Sequence, residues 1–167
     1  HRFVAGACLW DAGQIHHNLV HADPAEVACT ESGIEIDYSR EPILRHFVEA
    51  FRQVVGYEGG FKISARDHMY EHVGLGSTST ILIAVANALN TAVGSPLTSD
   101  QLRLLLGSNF VEETDAGNVA FGFETGVGPA ASTHGGMAVM GDELTLVYRH
   151  AFAEGKRVYI AIPTSDV

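Results

Sequence analysis

The chain has 167 residues, 46% of them hydrophobic and 18% charged, enough apolar material for one compact domain with its own core. Ten basic against 20 acidic residues leave a formal charge of −10, which argues against broad binding of nucleic acid or an anionic membrane and asks any anionic ligand to find a local site. Two cysteines, Cys8 and Cys29, fit free thiols in a reducing, cytoplasmic setting, and the longest apolar stretches fall far short of the roughly 20 residues of a membrane span.

Residues 2–10 are apolar enough for a strand, and residues 11–24 mix Gly, Asn and Asp without a period, as a loop does. Within that loop His17 and His21 have the i, i+4 spacing of zinc ligands on a helix, with His16 beside them. No Cys or carboxylate completes the set, so solvated loop histidines are the simpler reading. Ile34, Ile36 and Tyr38 alternate with Glu35 and Asp37, the two-residue period of a strand buried on one face. Pro42 then opens a helix in which Ile43, Leu44, Phe47, Val48, Phe51, Val54 and Val55 recur at three- and four-residue spacing up to Gly56. Phe61, Ile63 and Ala65, alternating with Lys62 and Ser64, predict a second strand.

Residues 81–93 are apolar nearly all round and close at Gly94, the pattern of a buried helix. Pro96 and Thr98-Ser99-Asp100-Gln101 start another helix, expected to run from Ser99 to Val111. Glu112, Glu113 and Asp115 read as its solvated end, with magnesium binding the alternative use. Residues 117–128 are glycine-rich and unpatterned. Residues 135–140, 144–150 and 157–162 read as strands, the first two joined by a turn at Gly141-Asp142-Glu143. Trp10 and the eight Phe are core candidates, and neither cysteine has the basic neighbours that would activate a thiol. Adjacent strands and paired helices together predict an α+β fold, a mixed sheet backed by helices over residues 42–55, 77–93 and 99–111.

The stretch with most chemical content precedes the second helix. Gly74, Leu75, Gly76, Ser77, Thr78, Ser79 and Thr80 combine glycines that allow close approach with hydroxyls at a helix start, where unpaired N–H groups and the helix dipole favour phosphate. One hydroxyl, Ser77 first among them, can help hold a magnesium ion bridging phosphate oxygens. The same residues would also make a turn and cap a helix. The lysine of the P-loop and the third glycine of the dinucleotide fingerprint are both missing. His72 can touch phosphate or fix the loop by a backbone bond, and His134 can reach the same cleft or serve as a turn histidine. Arg149 and His150 point to opposite faces of their strand, so at most one faces a cleft, and Arg149 has an acidic partner as its alternative.

From His72 to Thr80 and into the small-residue helix beyond, the chain resembles the Gly-Leu-Gly-Ser loop of the GHMP superfamily of small-molecule kinases. Within that superfamily His72-Val73-Gly74-Leu75-Gly76-Ser77 is most similar to the beta-ribofuranosylaminobenzene 5'-phosphate synthases of methanopterin biosynthesis. Thr125-Gly126-Val127-Gly128 with Gly135-Gly136, and Tyr148-Arg149-His150-Ala151-Phe152, resemble two further segments of those synthases. The loop departs from them in having Thr78-Ser79-Thr80 where Gly-Thr-Gln is usual. The resemblance implies the ribosomal protein S5 domain 2-like fold of the GHMP amino-terminal domain, with Gly74 to Thr80 holding the phosphates. It implies also a carboxy-terminal α+β domain, for which no residues remain after Val167, and the partners expected are that missing domain or chain, or a second copy in a homodimer.

The activity implied is a transferase joining phosphoribosyl pyrophosphate to an aromatic acid with loss of carbon dioxide, the reading that better survives Gly128, which stands where base-using GHMP kinases carry an aspartate. ATP-dependent phosphorylation of a small molecule, with magnesium, is the alternative. A non-catalytic domain binding a phosphorylated small molecule or a partner chain is the third reading.

Overall fold

The computed structural model describes residues 25–66 and 77–151. The amino-terminal strand and loop, their histidines, Cys8 and Trp10, the segment from His72 to Gly76 and the strand expected over residues 157–162 lie outside these residues.

The first layer is a three-stranded mixed sheet. β1 (Glu26–Thr30) turns through Gly33, whose φ of 80° suits glycine, into β2 (Ile34–Asp37). After helix α1 (Glu41–Val55) the chain returns as β3 (Gly60–Ser64), which inserts between the first two strands to give the order β1-β3-β2. β3 pairs antiparallel with β1, with Val27 opposite Ile63, and parallel with β2, with Ile36 opposite Ile63. A side chain at Gly60 would run into the Ser32–Gly33 backbone, so the turn and the start of β3 touch main chain to main chain. Phe61 and Ile63 are buried and Lys62 between them is exposed, so one face of the sheet carries the core.

Helices cover that face. α1 buries Ile43, Leu44, Phe47, Val48 and Phe51, carries Pro42 in its first turn, and ends at Gly56 in the left-handed conformation, whose N–H donates to the Arg52 carbonyl. α2 (Ser77–Ala92) buries Ile81, Leu82, Ile83, Val85, Ala86 and Leu89, each worth about 1 to 3 kcal/mol of transfer free energy for the larger side chains. Buried Asn90 ties its end to the next segment, its amide donating to the Leu97 carbonyl at 2.8 Å and its oxygen accepting from the Leu97 N–H at 3.0 Å. α3 (Ser99–Ser108) opens with a reciprocal cap in which Thr98 and Gln101 satisfy each other's backbone N–H.

α3 stops at Ser108 rather than reaching Val111. The Asn109 side chain folds back onto the Leu105 carbonyl at 2.8 Å, and Gly107 is packed under Leu144. Val111 instead starts β4 (Val111–Glu113), which pairs with β5 (Val119–Phe121). Glu112 and Glu113 therefore stand on an exposed strand and not on a helix end. The glycine-rich stretch beyond contains a helix that the sequence pattern does not announce, α4 (Val127–His134), followed by β6 (Met137–Met140), a helical turn over Asp142–Leu144 and β7 (Leu146–His150). Glu143 and Leu144 both have positive φ, 53° and 59°, and the buried Arg103 guanidinium donates to the Leu144 carbonyl at 2.7 Å.

The aromatic residues divide. Phe47, Phe51 and Phe61 are in the core, whereas Phe121 and Phe123 are 76% and 85% exposed, contrary to their reading as core residues. Phe121 stands on the β4–β5 hairpin, where the His46 ring of α1 meets it edge-on at 5.7 Å. The architecture is α+β, a mixed sheet backed by helices, as expected, with two small two-stranded ribbons added. Among the described residues no helix is long and apolar enough to cross a membrane.

Candidate functional site

The first turn of α2 is the place where polar side chains from distant parts of the chain converge. Thr78, Ser79 and Thr80 follow one another there, the first half-buried and the other two buried. Each hydroxyl meets a different element. Thr78 Oγ1 accepts from the Arg40 guanidinium at 2.6 Å, and Arg40 also donates to the Tyr38 hydroxyl at 2.7 Å while lying over that ring. Ser79 Oγ donates to Glu124 Oε2 at 3.3 Å, and Thr80 Oγ1 is 3.4 Å from Ser132 Oγ on α4.

Glu124 is held from a second side. Its Oε1 accepts the Gly126 N–H at 2.9 Å, which bends the chain into α4 through Gly126 at φ 81°. Two residues on, Gly128 lies so close to α2 that a Cβ there would come 2.7 Å from Ser79 Oγ and 3.9 Å from Glu124 Oε2. The turn therefore has a cation on its Thr78 side, a carboxylate on its Ser79 side and a glycine over it. A helix start with a guanidinium beside its first hydroxyl is a place where an anion is favoured.

Of the residues marked out from sequence, the structure brings Thr78, Ser79 and Thr80 to this turn. Ser77 begins the helix, and Gly74, Leu75, Gly76 and His72 lie outside the described residues. His134 is six residues along α4 from Gly128, about 9 Å at helical rise. There its Nε2 is 3.3 Å from an Asp100 carboxylate oxygen, and its carbonyl accepts from Arg149 at 2.6 Å. His134 and Arg149 thus meet each other at the far end of α4. Tyr148 and His150 stack on the opposite face of β7 from Arg149, as alternation requires.

Cys29 is exposed and free, and its thiol donates to the Ala92 carbonyl; the neighbouring thiol, foremost, and burial push the Tyr57 phenol above its ordinary value. At the other end of the sheet, the hydrogen bond from Arg66 and its positive charge hold Asp37 below the usual carboxylate range, against the effect of burial.

Two residues of the turn escaped the sequence reading. Arg40 stands immediately before Glu41 and Pro42 and was legible only as the edge of a helix, since its contact with Thr78 spans 38 positions. Glu124 carried a usable local signal: an acid two residues before a glycine that opens a helix is placed to accept that glycine's N–H.

A family model described as the GHMP kinases N terminal domain matches residues 42–136, which includes α1, β3, the Gly-rich segment, α2 and α4. The chain belongs to that family. Two solved structures resemble it: homoserine kinase from Cytophaga hutchinsonii, at 18% identity and a TM-score of 0.45 over 50% of this chain and 30% of that one, and L. major mevalonate kinase in complex with R-mevalonate, at 16% identity and a TM-score of 0.48 over 66% and 36%. The chain thus spans about a third of the length of those two proteins. No curated protein sequence matches it.

Proposed function

We propose that this chain is the phosphate-binding part of an ATP-dependent small-molecule kinase. The observation that carries the reading is the family match from α1 through the Gly-rich segment to α4, coinciding with a row of hydroxyls at the start of α2 that Arg40 flanks. A kinase of this kind needs little covalent chemistry from the protein; it must hold the triphosphate, spread its charge and align an acceptor hydroxyl with the terminal phosphorus. Backbone N–H groups and hydroxyls from Gly74 to Thr80 would hold phosphate oxygens, and the Arg40 guanidinium would supply the positive charge that a P-loop takes from lysine.

Magnesium fits the Ser79 side of the turn, where hydroxyl and carboxylate oxygens, the hard ligands that ion takes, stand away from the Arg40 guanidinium on the Thr78 side. Among the described residues no group of three His, Cys, Asp or Glu could hold a metal, so the ion would arrive on the phosphates, with a hydroxyl such as Ser77 completing its shell. Bound there, it would neutralise charge on the phosphates.

The transfer from phosphoribosyl pyrophosphate keeps only the sequence segments behind it, and the matches point toward kinases. Parallel titrations of ATP and phosphoribosyl pyrophosphate, with and without magnesium, decide between them. ATP should bind more tightly, and Arg40→Ala should weaken it about tenfold or more, the worth of a charge-assisted bond. Preference for phosphoribosyl pyrophosphate would restore the transferase, and binding of neither would leave the turn as a helix cap.

A further inference from the structure

We infer that Glu124 is the group that takes the proton from the acceptor hydroxyl, an inference that rests on the kinase reading. A carboxylate beside a phosphate site is electrostatically costly unless it has work to do, and this one is fixed in place from two elements. Oε1 is committed to the Gly126 N–H at 2.9 Å, and among the described residues Oε2 accepts the longer bond from Ser79 at 3.3 Å and no other. Each carboxylate oxygen has two acceptor sites, so Oε2 keeps one for a ligand hydroxyl. The carboxylate is half-buried, and the residue standing over it is Gly128, which adds no side chain between Oε2 and an incoming group.

A side chain at position 128 would force Ser79 to move, because its Cβ would lie 2.7 Å from Ser79 Oγ. Glu124 places a carboxylate oxygen 3.9 Å from that same Cβ position, reaching from a different residue the space that Gly128 leaves open. The polarity of the turn agrees with a division of roles: Arg40 and Thr78 attract phosphate on one side, while Ser79 and Glu124 form the side with a base. In the step, the acceptor O–H proton passes to Glu124 Oε2, the acceptor oxygen bonds to the terminal phosphorus of ATP, and the bond from that phosphorus to the bridging oxygen breaks to release ADP. Ser79 is a positioning residue, since it acts through the carboxylate it holds.

Glu124→Gln tests this, because the amide keeps the shape and an acceptor oxygen but lacks the basicity. In the whole protein, MgATP binding is measured by calorimetry, and ADP release is measured with a panel of small hydroxylated acids and alcohols and with water as the acceptor. The variant should melt as the parent does, bind MgATP within about twofold, and lose about 10²- to 10⁴-fold in kcat, the usual worth of a positioned base. Glu124→Asp should recover part of the loss. Retained kcat in Glu124→Gln overturns the inference while leaving the kinase reading intact. Loss of MgATP affinity in that variant also overturns it, making the carboxylate a ligand of the metal. A parent protein that neither binds nor consumes MgATP overturns the kinase reading, and the inference falls with it.

Discussion

Helices α1 and α2 have 15 and 16 residues and share one core, yet they are built on opposite terms. α1 has a single apolar stripe, and its charged groups face outward, as with Arg45 and Glu41 paired at 2.6 Å across one turn. α2 is enclosed on most sides, so each polar side chain on it must find a partner inside the protein. Ser79, Thr80 and Asn90 are buried, and all three have hydrogen-bond partners on other segments. A hydroxyl on the outside of α1 would say little about function; on α2 its position is set by its surroundings, which makes the first turn of that helix informative.

The sharpest way to break this contrast is to remove apolar volume from α1. Phe47→Ala should destabilise the fold by about 3–5 kcal/mol in denaturant titration, the range for a buried aromatic, because the amphipathic helix has only its stripe to hold it. A smaller effect should follow on α2 from removing a polar group. Asn90→Leu keeps the branched outline of the side chain but leaves the Leu97 N–H and carbonyl without their partner, at about 1–3 kcal/mol. If the leucine proves neutral, burial on α2 does not impose pairing and the contrast fails.

The smallest effect lies outside both helices and depends on pH. Asp37 is held below the ordinary carboxylate range when folded, so the stability it lends is complete above that range and fades as the pH falls through it and below. Asp37 is exposed, so Asp37→Asn should produce a slight flattening of the acid limb in melting temperature against pH, and no change near neutrality beyond loss of the Arg66 contact.

Periodicity with a punctuating Pro or Gly was enough to read α1, β2 and β3, and an almost unbroken apolar run closed by Gly94 was enough to read α2. β1 was missed, since Glu26 to Thr30 is too exposed to alternate clearly, and α4 was missed because Gly and Pro in its first turn mimic a loop. The end of α3 was misplaced for a tertiary reason, the packing of Leu144 on Gly107. At the site, the row of hydroxyls was legible as a helix start, but its flanks were not. Arg40 and Glu124 reach Thr78 and Ser79 across 38 and 45 positions, and nothing local to either residue encodes that meeting.

The strand order β1-β3-β2 also bears on how the chain is made. When β1 and β2 emerge from the ribosome, they leave between them a gap one strand wide that their own short turn cannot close. Only residues 60–64, delivered after the whole of α1, fill that gap. Until then each strand offers an unpaired inner edge to any extended segment nearby, and the sheet waits on long-range pairing that folds slowly. The interval between the emergence of β2 and that of residues 60–64 is therefore one in which this sheet is exposed to misassembly.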